Sequence, residues 1–325
     1  MLPIAVDALG GDKAPAEILE GAKQAAALGI PVLLVGPADL GTRFDIGNLP
    51  VHIATEFIDM HEDPASSVRT KKDSTLVQSA ELVRDGKASA MISAGNTGAT
   101  MASALLRMGR IKGVKRPAIA TPIPVPGSTH TVLLDAGANA EVEAEWLTQF
   151  AIMGSVYSRV RFGIEKPRVG LLSIGEEPGK GDTLRKEAFV LLSECSEINF
   201  IGNVEGRDIT TDAVDVVVTD GFTGNVALKT LEGAMRSIVK ALFGAIGAPQ
   251  YKEHADAIMP ALLDVYSIFD PDSTGGAILL GVDGVCIISH GSSSARAMLN
   301  GIKVAQEMVR ATWSDLLQRH CNQNE

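Results

Sequence analysis

Short runs of apolar residues recur along the chain, and most of them end at Gly, Asp or Asn. The runs are continuous rather than alternating, which is typical of strands buried on both faces of a parallel sheet. Helical patterns separate several of them, and this alternation predicts a doubly wound, three-layer α/β fold. The strands are predicted at residues 4–6, 32–35, 90–92, 131–134, 169–174, 214–218 and 285–288, and the helices at residues 15–28, 74–84, 96–108, 143–157 and 183–194.

A longer helical pattern interrupts this alternation. From Leu228 the apolar residues follow one another at steps of three or four as far as Ile246, and a second helical stretch follows. The pattern predicts a helical hairpin at about residues 228–268, set into a single domain of 325 residues. The hairpin either packs on its own core or a second subunit, or carries a membrane-touching tip at Leu242, Phe243 and Ile246. The sequence alone favours packing.

The composition excludes several classes of protein. With 325 residues, 46% of them hydrophobic, the chain can bury a large core. Its formal net charge of -10 provides no global basic field for nucleic acid, so an anionic partner requires a local basic patch. No apolar run reaches the ~18 residues needed to cross a bilayer, and the first residues resemble a strand rather than a signal peptide. Three cysteines without metal or redox spacing indicate a reducing, cytoplasmic compartment.

Small polar loops follow many of the predicted strands, at the position where ligands bind in such sheets. The clearest spans residues 93–99 (SAGNTGA), between a strand and a helix. Small residues let the backbone approach an anion, and free N–H groups at a helix start favour phosphate. A tight turn capped by Asn96 or Thr97 explains this loop equally well. Similar loops at residues 220–225 and 289–294 favour a phosphate-type site where all three meet at one sheet edge.

Several side chains near these loops are candidates for chemistry or binding. Lys180, between glycines, can reach a substrate as a point charge, although a solvated loop lysine is the simpler interpretation. His290 is either a general base or phosphate donor, or a hydrogen-bonded residue after a buried strand. Residues 107–116 contain five basic residues and no acid, and they either steer an acidic partner or form a solvated helix end. No histidine or cysteine stands at metal-ligand spacing.

Seven motifs, taken in order, resemble the phosphate acyltransferases of bacterial phospholipid synthesis, the acyl-carrier-protein:phosphate acyltransferases. The resemblance extends over almost the whole chain. The motifs are residues 5–12 (AVDALGGD), 69–74 (RTKKDS), 93–99 (SAGNTGA), 133–139 (LLDAGAN), 170–177 (GLLSIGEE), 220–226 (DGFTGNV) and 290–293 (HGSS).

This resemblance implies an α/β/α sandwich with a mostly parallel sheet, related to phosphotransacetylases and isocitrate dehydrogenase-like enzymes. It implies transfer of a long-chain fatty acyl group from acyl-carrier protein to inorganic phosphate, giving the acyl phosphate used to acylate glycerol 3-phosphate. It also implies a homodimer in the cytoplasm, peripherally associated with the inner membrane through Leu242, Phe243 and Ile246, and near the downstream membrane acyltransferase. We expect no cofactor and no metal.

For the active site, the resemblance implies that Lys180 and Asn225 lie at the catalytic centre, and we add His290. Phosphate is already a nucleophile at neutral pH, so the site need only hold it, aim it at the thioester carbonyl and stabilise the oxyanion. We expect phosphate or substrate to be bound by Asp7, Gly10, Gly11, Ser93, Gly95, Asn96, Thr97, Gly98, Asp135, Asn139 and Ser292, and the acidic carrier protein by Arg107, Arg110, Lys112, Lys115 and Arg116.

Three other functions remain open on the sequence. Acetyl transfer between coenzyme A and phosphate, the phosphotransacetylase reaction, would use the same fold and the same anion. A metal- and nicotinamide-dependent dehydrogenase would need clustered aspartate ligands and a nucleotide fingerprint, and neither is evident. A non-catalytic scaffold at the membrane surface would need only the hairpin.

Overall fold

The computed structural model describes residues 1–311 and Leu317, and only the backbone of residues 252, 253 and 271. Within this part of the chain, one sheet of eleven strands forms the centre of the molecule. The strands are β1 (Ile4–Asp7), β2 (Val32–Gly36), β3 (Val51–Ile53), β4 (Ala90–Ser93), β5 (Ala118–Ile123), β6 (Thr131–Leu134), β7 (Arg168–Leu172), β8 (Asn199–Val204), β9 (Val216–Val218), β10 (Ala277–Leu280) and β11 (Cys286–Ile288).

Helices cover both faces of this sheet, because the strands are buried on both sides and each face needs an apolar partner. The helices are α1 (Ala16–Ala27), α2 (Leu40–Arg43), α3 (Pro64–Thr70), α4 (Thr75–Arg84), α5 (Thr97–Arg107), α6 (Ala144–Phe162), α7 (Thr183–Glu194), α8 (Gly221–Ile246), α9 (Lys252–Phe269), α10 (Pro271–Thr274) and α11 (Ala295–Arg310).

Two of the three apolar cores in the described part of the chain, one on each face of the sheet, show the three layers. Apolar residues of α1, α6, α7 and α11 pack together on one face of the sheet. On the other face, α3, α4 and α5 share a second core, and Leu228 of α8 packs against it. The predicted three-layer α/β/α sandwich with a mostly parallel sheet is confirmed.

The strand order is β3-β2-β1-β4-β11-β10-β5-β6-β9-β7-β8. Strands β1, β2, β3, β4 and β11 pair in parallel, and we call them the first half-sheet. Strands β6, β7, β8 and β9 also pair in parallel and form the second half-sheet. Between the halves, β10 and β5 pair antiparallel with each other and with their outer neighbours, β11 and β6. These three reversals make the two half-sheets run in opposite directions.

The predicted hairpin segment contains two helices, α8 and α9, and α8 begins at Gly221, well before residue 228. The rings of Phe243 and Tyr266 meet edge to face, with centroids 6.4 Å apart, and so join the two helices. Leu242 is exposed and Ile246 is partly buried. In the described part of the chain, no helix is long and apolar enough to cross a membrane.

Candidate active site

The loops that follow β1, β4 and β11 meet at the carboxyl edge of the first half-sheet. Asp7 Oδ2 accepts a hydrogen bond from Ser93 Oγ at 2.7 Å, and Ser93 Oγ accepts one from the Gly95 N–H at 3.0 Å. Gly10 lies against this pair, since a Cβ added there would be 2.5 Å from Asp7 Oδ2. We call residues 7–12, 93–98 and 289–293 the first loop cluster.

The third of these loops is attached through its backbone. The Asp12 N–H donates to the Gly291 carbonyl at 2.8 Å. Gly11, with φ at +113°, brings its backbone close to the same carbonyl: a Cβ added there would be 3.1 Å from it. The structure therefore brings the predicted residues Gly10, Gly11, Ser93 and Gly95 close to the His290–Ser292 turn.

Asp7 and Ser93 are buried, at 2% and 0% exposure. Burial raises the pKa of Asp7, and hydrogen bonds from Thr75 and Ser93 offset part of this shift. Both side chains are therefore committed to holding the loops in place. If this cluster binds phosphate, these two residues act by shaping the loops.

Asn96 is the N-cap of α5, as one of the two sequence interpretations predicted. Its Oδ1 accepts from the Ala99 N–H at 3.0 Å, and its Nδ2 donates to the carbonyls of Met60 and Glu62. Within the described residues, no acceptor bonds the N–H groups of the two residues that follow, Thr97 and Gly98. These free N–H groups at a helix start can bind an anion.

His290 is exposed and forms a local pair with Ser292. Its Nδ1 accepts from the Ser292 N–H at 3.2 Å and lies 2.8 Å from Ser292 Oγ. A backbone N–H can only donate, so Nδ1 is the acceptor and the neutral ring carries its proton on Nε2. This tautomer offers a hydrogen-bond donor, which suits phosphate binding better than general-base catalysis.

The loop after β6 is organised by Asp135, which is fully buried. Its Oδ1 accepts from three backbone N–H groups at 2.8–3.1 Å, and its Oδ2 accepts from the N–H and Nδ2 of Asn139 at 2.7 and 2.9 Å. Burial raises the pKa of Asp135, and these bonds offset part of the shift. Asn139 in turn bonds the Pro117 carbonyl and accepts from the Gly221 N–H at the start of α8.

Asn225 lies in the first turns of α8, and its side chain faces Gly137: a Cβ added at Gly137 would be 3.7 Å from Asn225 Oδ1. Lys180 lies in the loop after β7, where its aliphatic carbons pack beside Gly175. Both side chains are exposed. Among the described residues, neither the Asn225 amide nor the Lys180 ammonium has a hydrogen-bond or ion-pair partner, so both polar ends are free. We call residues 135–139, 173–182 and 219–225 the second loop cluster.

The expectation that these loops meet at one edge of the sheet is wrong. The loops at residues 93–98 and 289–293 follow the first half-sheet, whereas residues 220–225 follow the second half-sheet, which runs in the opposite direction. No hydrogen bond or ion pair within the described chain connects the two loop clusters. The two clusters nevertheless share one apolar core, because Ala136 of the second cluster is buried in the core that also contains Ala99, in the first turn of α5.

The fold places the basic residues of the segment 107–116 in different surroundings. Arg110, Lys115 and Arg116 line a cavity of about 650 Å³, which Trp146 and two glutamates also line. The Arg116 guanidinium lies over the Trp146 ring, 4.8 Å from its centroid. Lys112 is exposed. Arg107 instead points to Glu81, at 3.5 Å, and to the Val68 carbonyl.

Sequence reasoning missed Arg185, whose side chain is only 11% exposed. It bonds residues at the starts of both α7 and α8, and so links the Lys180 loop to the helix that carries Asn225. The local signal was weak: an arginine three residues after Asp182, a common helix-start pattern. Its partners on α8 are distant in sequence and became visible only in the fold.

Groups that could hold a metal ion or react as thiols are few. Within the described residues, no cluster of three or more His, Cys, Asp or Glu side chains could hold a metal. Cys286 is buried, and burial raises the pKa of its thiol to about 12, which makes it unreactive. Cys195 is partly buried and free, and Cys321 lies outside the described residues.

Solved structures of similar fold include a phosphotransacetylase and a branched-chain phosphotransacylase. A phosphotransacetylase from Staphylococcus aureus superimposes with a TM-score of 0.61 at 17% identity, over 95% of this chain and 94% of that one. A branched-chain phosphotransacylase from Enterococcus faecalis gives 0.63 at 15% identity, over 95% and 99%. At these identities the likeness concerns the fold alone.

Sequence comparisons are more specific. A family model described as "Fatty acid synthesis protein" matches residues 2–315. A phosphate acyltransferase of Elusimicrobium minutum is 48% identical over 98% of this chain and 95% of the relative. A second phosphate acyltransferase, from Halothermothrix orenii, is 46% identical over 99% of each chain. The chain therefore belongs to the phosphate acyltransferase family and is an acyltransferase.

Proposed function

We propose that this enzyme transfers a long-chain fatty acyl group from the thioester of acyl-carrier protein to inorganic phosphate. The acyl phosphate product would then serve the acylation of glycerol 3-phosphate in phospholipid synthesis. The observation that carries the proposal is the pair of free polar ends, Lys180 and Asn225, in a loop cluster whose other polar groups mostly bond one another. An ammonium and an amide without internal partners are available to a substrate oxygen.

The first loop cluster holds phosphate in this proposal. The anion accepts hydrogen bonds from the free N–H groups of Thr97 and Gly98 and from His290 Nε2, while Ser292 holds the His290 ring through Nδ1. Asp7, Ser93 and Asn96 keep the loops in shape, and Gly10, Gly11 and Gly95 let their backbones pack closely. None of these groups has to take a proton, because phosphate attacks as an anion.

In this proposal the thioester is bound between the two clusters, on the face of the sheet where they share an apolar core, and the second cluster acts on it. One phosphate oxygen bonds to the carbonyl carbon, and the carbonyl oxygen becomes an oxyanion. The Lys180 ammonium stabilises this charge, and Asn225 orients the carbonyl. One well-placed donor typically lowers the free energy of such a transition state by roughly 3–4 kcal/mol. The C–S bond then breaks and the carrier leaves as a thiolate. Asp135 and Asn139 support this geometry by holding the loop after β6 against the start of α8.

Carrier docking is assigned to the exposed basic residues of the segment 107–116. Arg110, Lys115 and Arg116 line one cavity, and exposed Lys112 adds to their charge. Arg107 is already paired with Glu81, so we expect it to contribute least. Changing Arg110 and Lys115 to Glu should raise the KM for the acyl carrier and leave the phosphate KM unchanged. Lys166→Glu, at an exposed site elsewhere, is the matched control.

The helices α8 and α9 complete the proposal. Their exposed apolar residues, among them Ile238, Leu242, Ile258 and Leu263, suit a homodimer contact and peripheral contact with the inner membrane surface. Leu242, Phe243 and Ile246 form the proposed tip, close to the membrane acyltransferase that would use the product. Replacing Leu242 with Glu should reduce sedimentation with anionic lipid vesicles without changing turnover on a water-soluble carrier.

A substrate comparison tests the reaction itself. Purified enzyme with labelled phosphate should form labelled acyl phosphate from long-chain acyl-carrier protein and release one free carrier thiol per product. The same enzyme should form far less acetyl phosphate from acetyl-coenzyme A. Comparable or better activity with acetyl-coenzyme A would instead establish a phosphotransacetylase, and no acyl phosphate from either donor would reject the proposed reaction.

A further inference from the structure

Arg185 joins three chain segments of the second loop cluster. Its Nη1 donates to Asp182 Oδ2 at 2.9 Å, at the start of α7. Its Nη2 donates to Thr219 Oγ1 at 3.3 Å, to Thr223 Oγ1 at 3.1 Å and to the Asp220 carboxylate. One nearly buried guanidinium thus fixes the end of β9, the start of α7 and the start of α8 relative to one another.

The segments that Arg185 joins are those that carry the two proposed catalytic groups. Asp220 is the N-cap of α8, accepting from the Thr223 N–H at 2.8 Å, and Asn225 follows within the next turn. On the other side, Lys180 precedes the N-cap Asp182 by two residues. Gly181 between them has φ at +100°, and a Cβ added there would be 2.7 Å from Arg185 Cβ. The loop therefore packs directly on the arginine.

The charge of the contact favours a rigid arrangement. Burial acts to raise the pKa of Asp220, but hydrogen bonds from Thr223 and the positive charge of Arg185 outweigh it, and the pKa lies below its usual value. Asp220 is therefore ionised at neutral pH, and it faces a planar, permanently charged partner. A guanidinium bonds several acceptors in fixed directions, which a lysine ammonium cannot reproduce.

We propose that Arg185 is a positioning residue that sets the Lys180 ammonium and the Asn225 amide relative to each other for acyl transfer. This inference rests on the proposed function of those two residues. Arg185 acts through other residues in this proposal, because its Nη donors are directed at Asp182, Thr219, Asp220 and Thr223. Its loss should therefore lower kcat, while the KM for phosphate and the KM for the acyl carrier change little.

The first test compares Arg185→Met with Arg185→Lys and with a matched control. Misplacing a catalytic group by about 1 Å can cost about 100-fold in rate, so we expect Arg185→Met to lower kcat by about that factor. Arg185→Lys should restore part of the loss. The control is Arg168→Met, because Arg168 makes a comparable double contact with Asp215 at the opposite end of the strand that leads to Lys180. It should lower the Tm to a similar degree and keep kcat.

The second test separates positioning from general destabilisation. If Arg185 acts through Lys180 and Asn225, Arg185→Met should cost about 100-fold in the wild type but clearly less in a Lys180→Met background, where only the placement of Asn225 is left to lose. Equal losses in both backgrounds, or an unchanged kcat in folded Arg185→Met, would overturn the inference. Wild-type enzyme is assayed in the same series: if it forms no acyl phosphate, the proposed function fails, whereas an active wild type with active Arg185→Met rejects only the positioning role.

Discussion

The two loop clusters differ in what their side chains have left to offer. In the first cluster, Asp7, Ser93 and Asn96 use their polar atoms on one another and on the backbone, so that mainly N–H groups and His290 remain available. In the second cluster, the carboxylate oxygens of Asp135 are likewise occupied by internal hydrogen bonds, but the polar ends of Lys180 and Asn225 have no partner among the described residues. Fixed N–H groups suit the capture of an anion, and free side-chain donors held in position suit a charge that develops during the reaction.

The largest effect should come from Lys180→Met. Removing a donor that stabilises an oxyanion typically costs about 10²–10³ in kcat, and the exposed lysine contributes little to stability. We therefore expect acyl phosphate formation to fall by that factor with an unchanged Tm. Lys186→Met, at an exposed position of the neighbouring helix α7, should behave as wild type. Near-normal turnover in folded Lys180→Met would remove this lysine from the mechanism.

Asp135→Ala should be the most destabilising change in the loops. It removes a buried carboxylate that accepts five hydrogen bonds and leaves several buried N–H groups without a partner. We expect the free energy of unfolding to fall by about 3 kcal/mol or more, measured by urea denaturation. Asp135→Asn, which keeps one carbonyl acceptor, should lose less. Similar stability in all three proteins would show that Asp135 does not organise this loop.

Gly10→Ala tests the packing of the first cluster. The added methyl would lie 2.5 Å from Asp7 Oδ2 and 2.8 Å from Ser93 Oγ, so the loops must move apart. We expect a loss of about 1–3 kcal/mol in stability and a higher KM for phosphate, with little change in the KM for the acyl carrier. Gly206→Ala, where nothing lies within 4 Å of the new Cβ, is the control. An unchanged phosphate KM in a demonstrably shifted loop would argue against phosphate binding here.

The smallest expected effect is a pH dependence of stability that arises at Glu62, whose backbone carbonyl accepts a hydrogen bond from Asn96. The hydrogen bond from Lys71, with others from the Asp59 N–H and Ser67, lowers the pKa of Glu62 from 4.5 to about 2. A lowered pKa means that the ionised form favours folding, so its contribution is present above pH 4.5 and is lost as the pH falls toward 2. The Tm gap between wild type and Glu62→Gln should shrink between about pH 6 and about pH 3. A constant gap would contradict this ion pair.

Much of the fold was predictable because buried parallel strands leave continuous apolar runs. Strands such as Ile4–Asp7 and Ala90–Ser93 were found in this way, and the helical patterns between the runs located five helices. The strand Ala118–Ile123 was missed because it contains Pro122, which argues against a central strand. Strand direction was not predictable at all, because an antiparallel strand buried on both faces has the same apolar pattern as a parallel one.

The site was less predictable for the same reason. The loops at residues 93–98 and 220–225 were expected on one edge because the sequence does not show that β10 and β5 reverse the direction of the sheet. Arg185 was missed because its partners Thr219 and Asp220 are more than thirty residues away along the chain. By contrast, the cap formed by Asn96 is a local interaction within three residues, and the sequence predicted it as one of two alternatives.

The most direct test of the division between the loop clusters is a crystal structure with inorganic phosphate and a non-reactive amide analogue of the acyl thioester. We predict that the phosphate accepts hydrogen bonds from the N–H groups of Thr97 and Gly98. The amide carbonyl should lie beside it, within reach of the Lys180 ammonium. Phosphate and carbonyl bound on separate surfaces, with Lys180 near neither, would contradict a single acyl-transfer site.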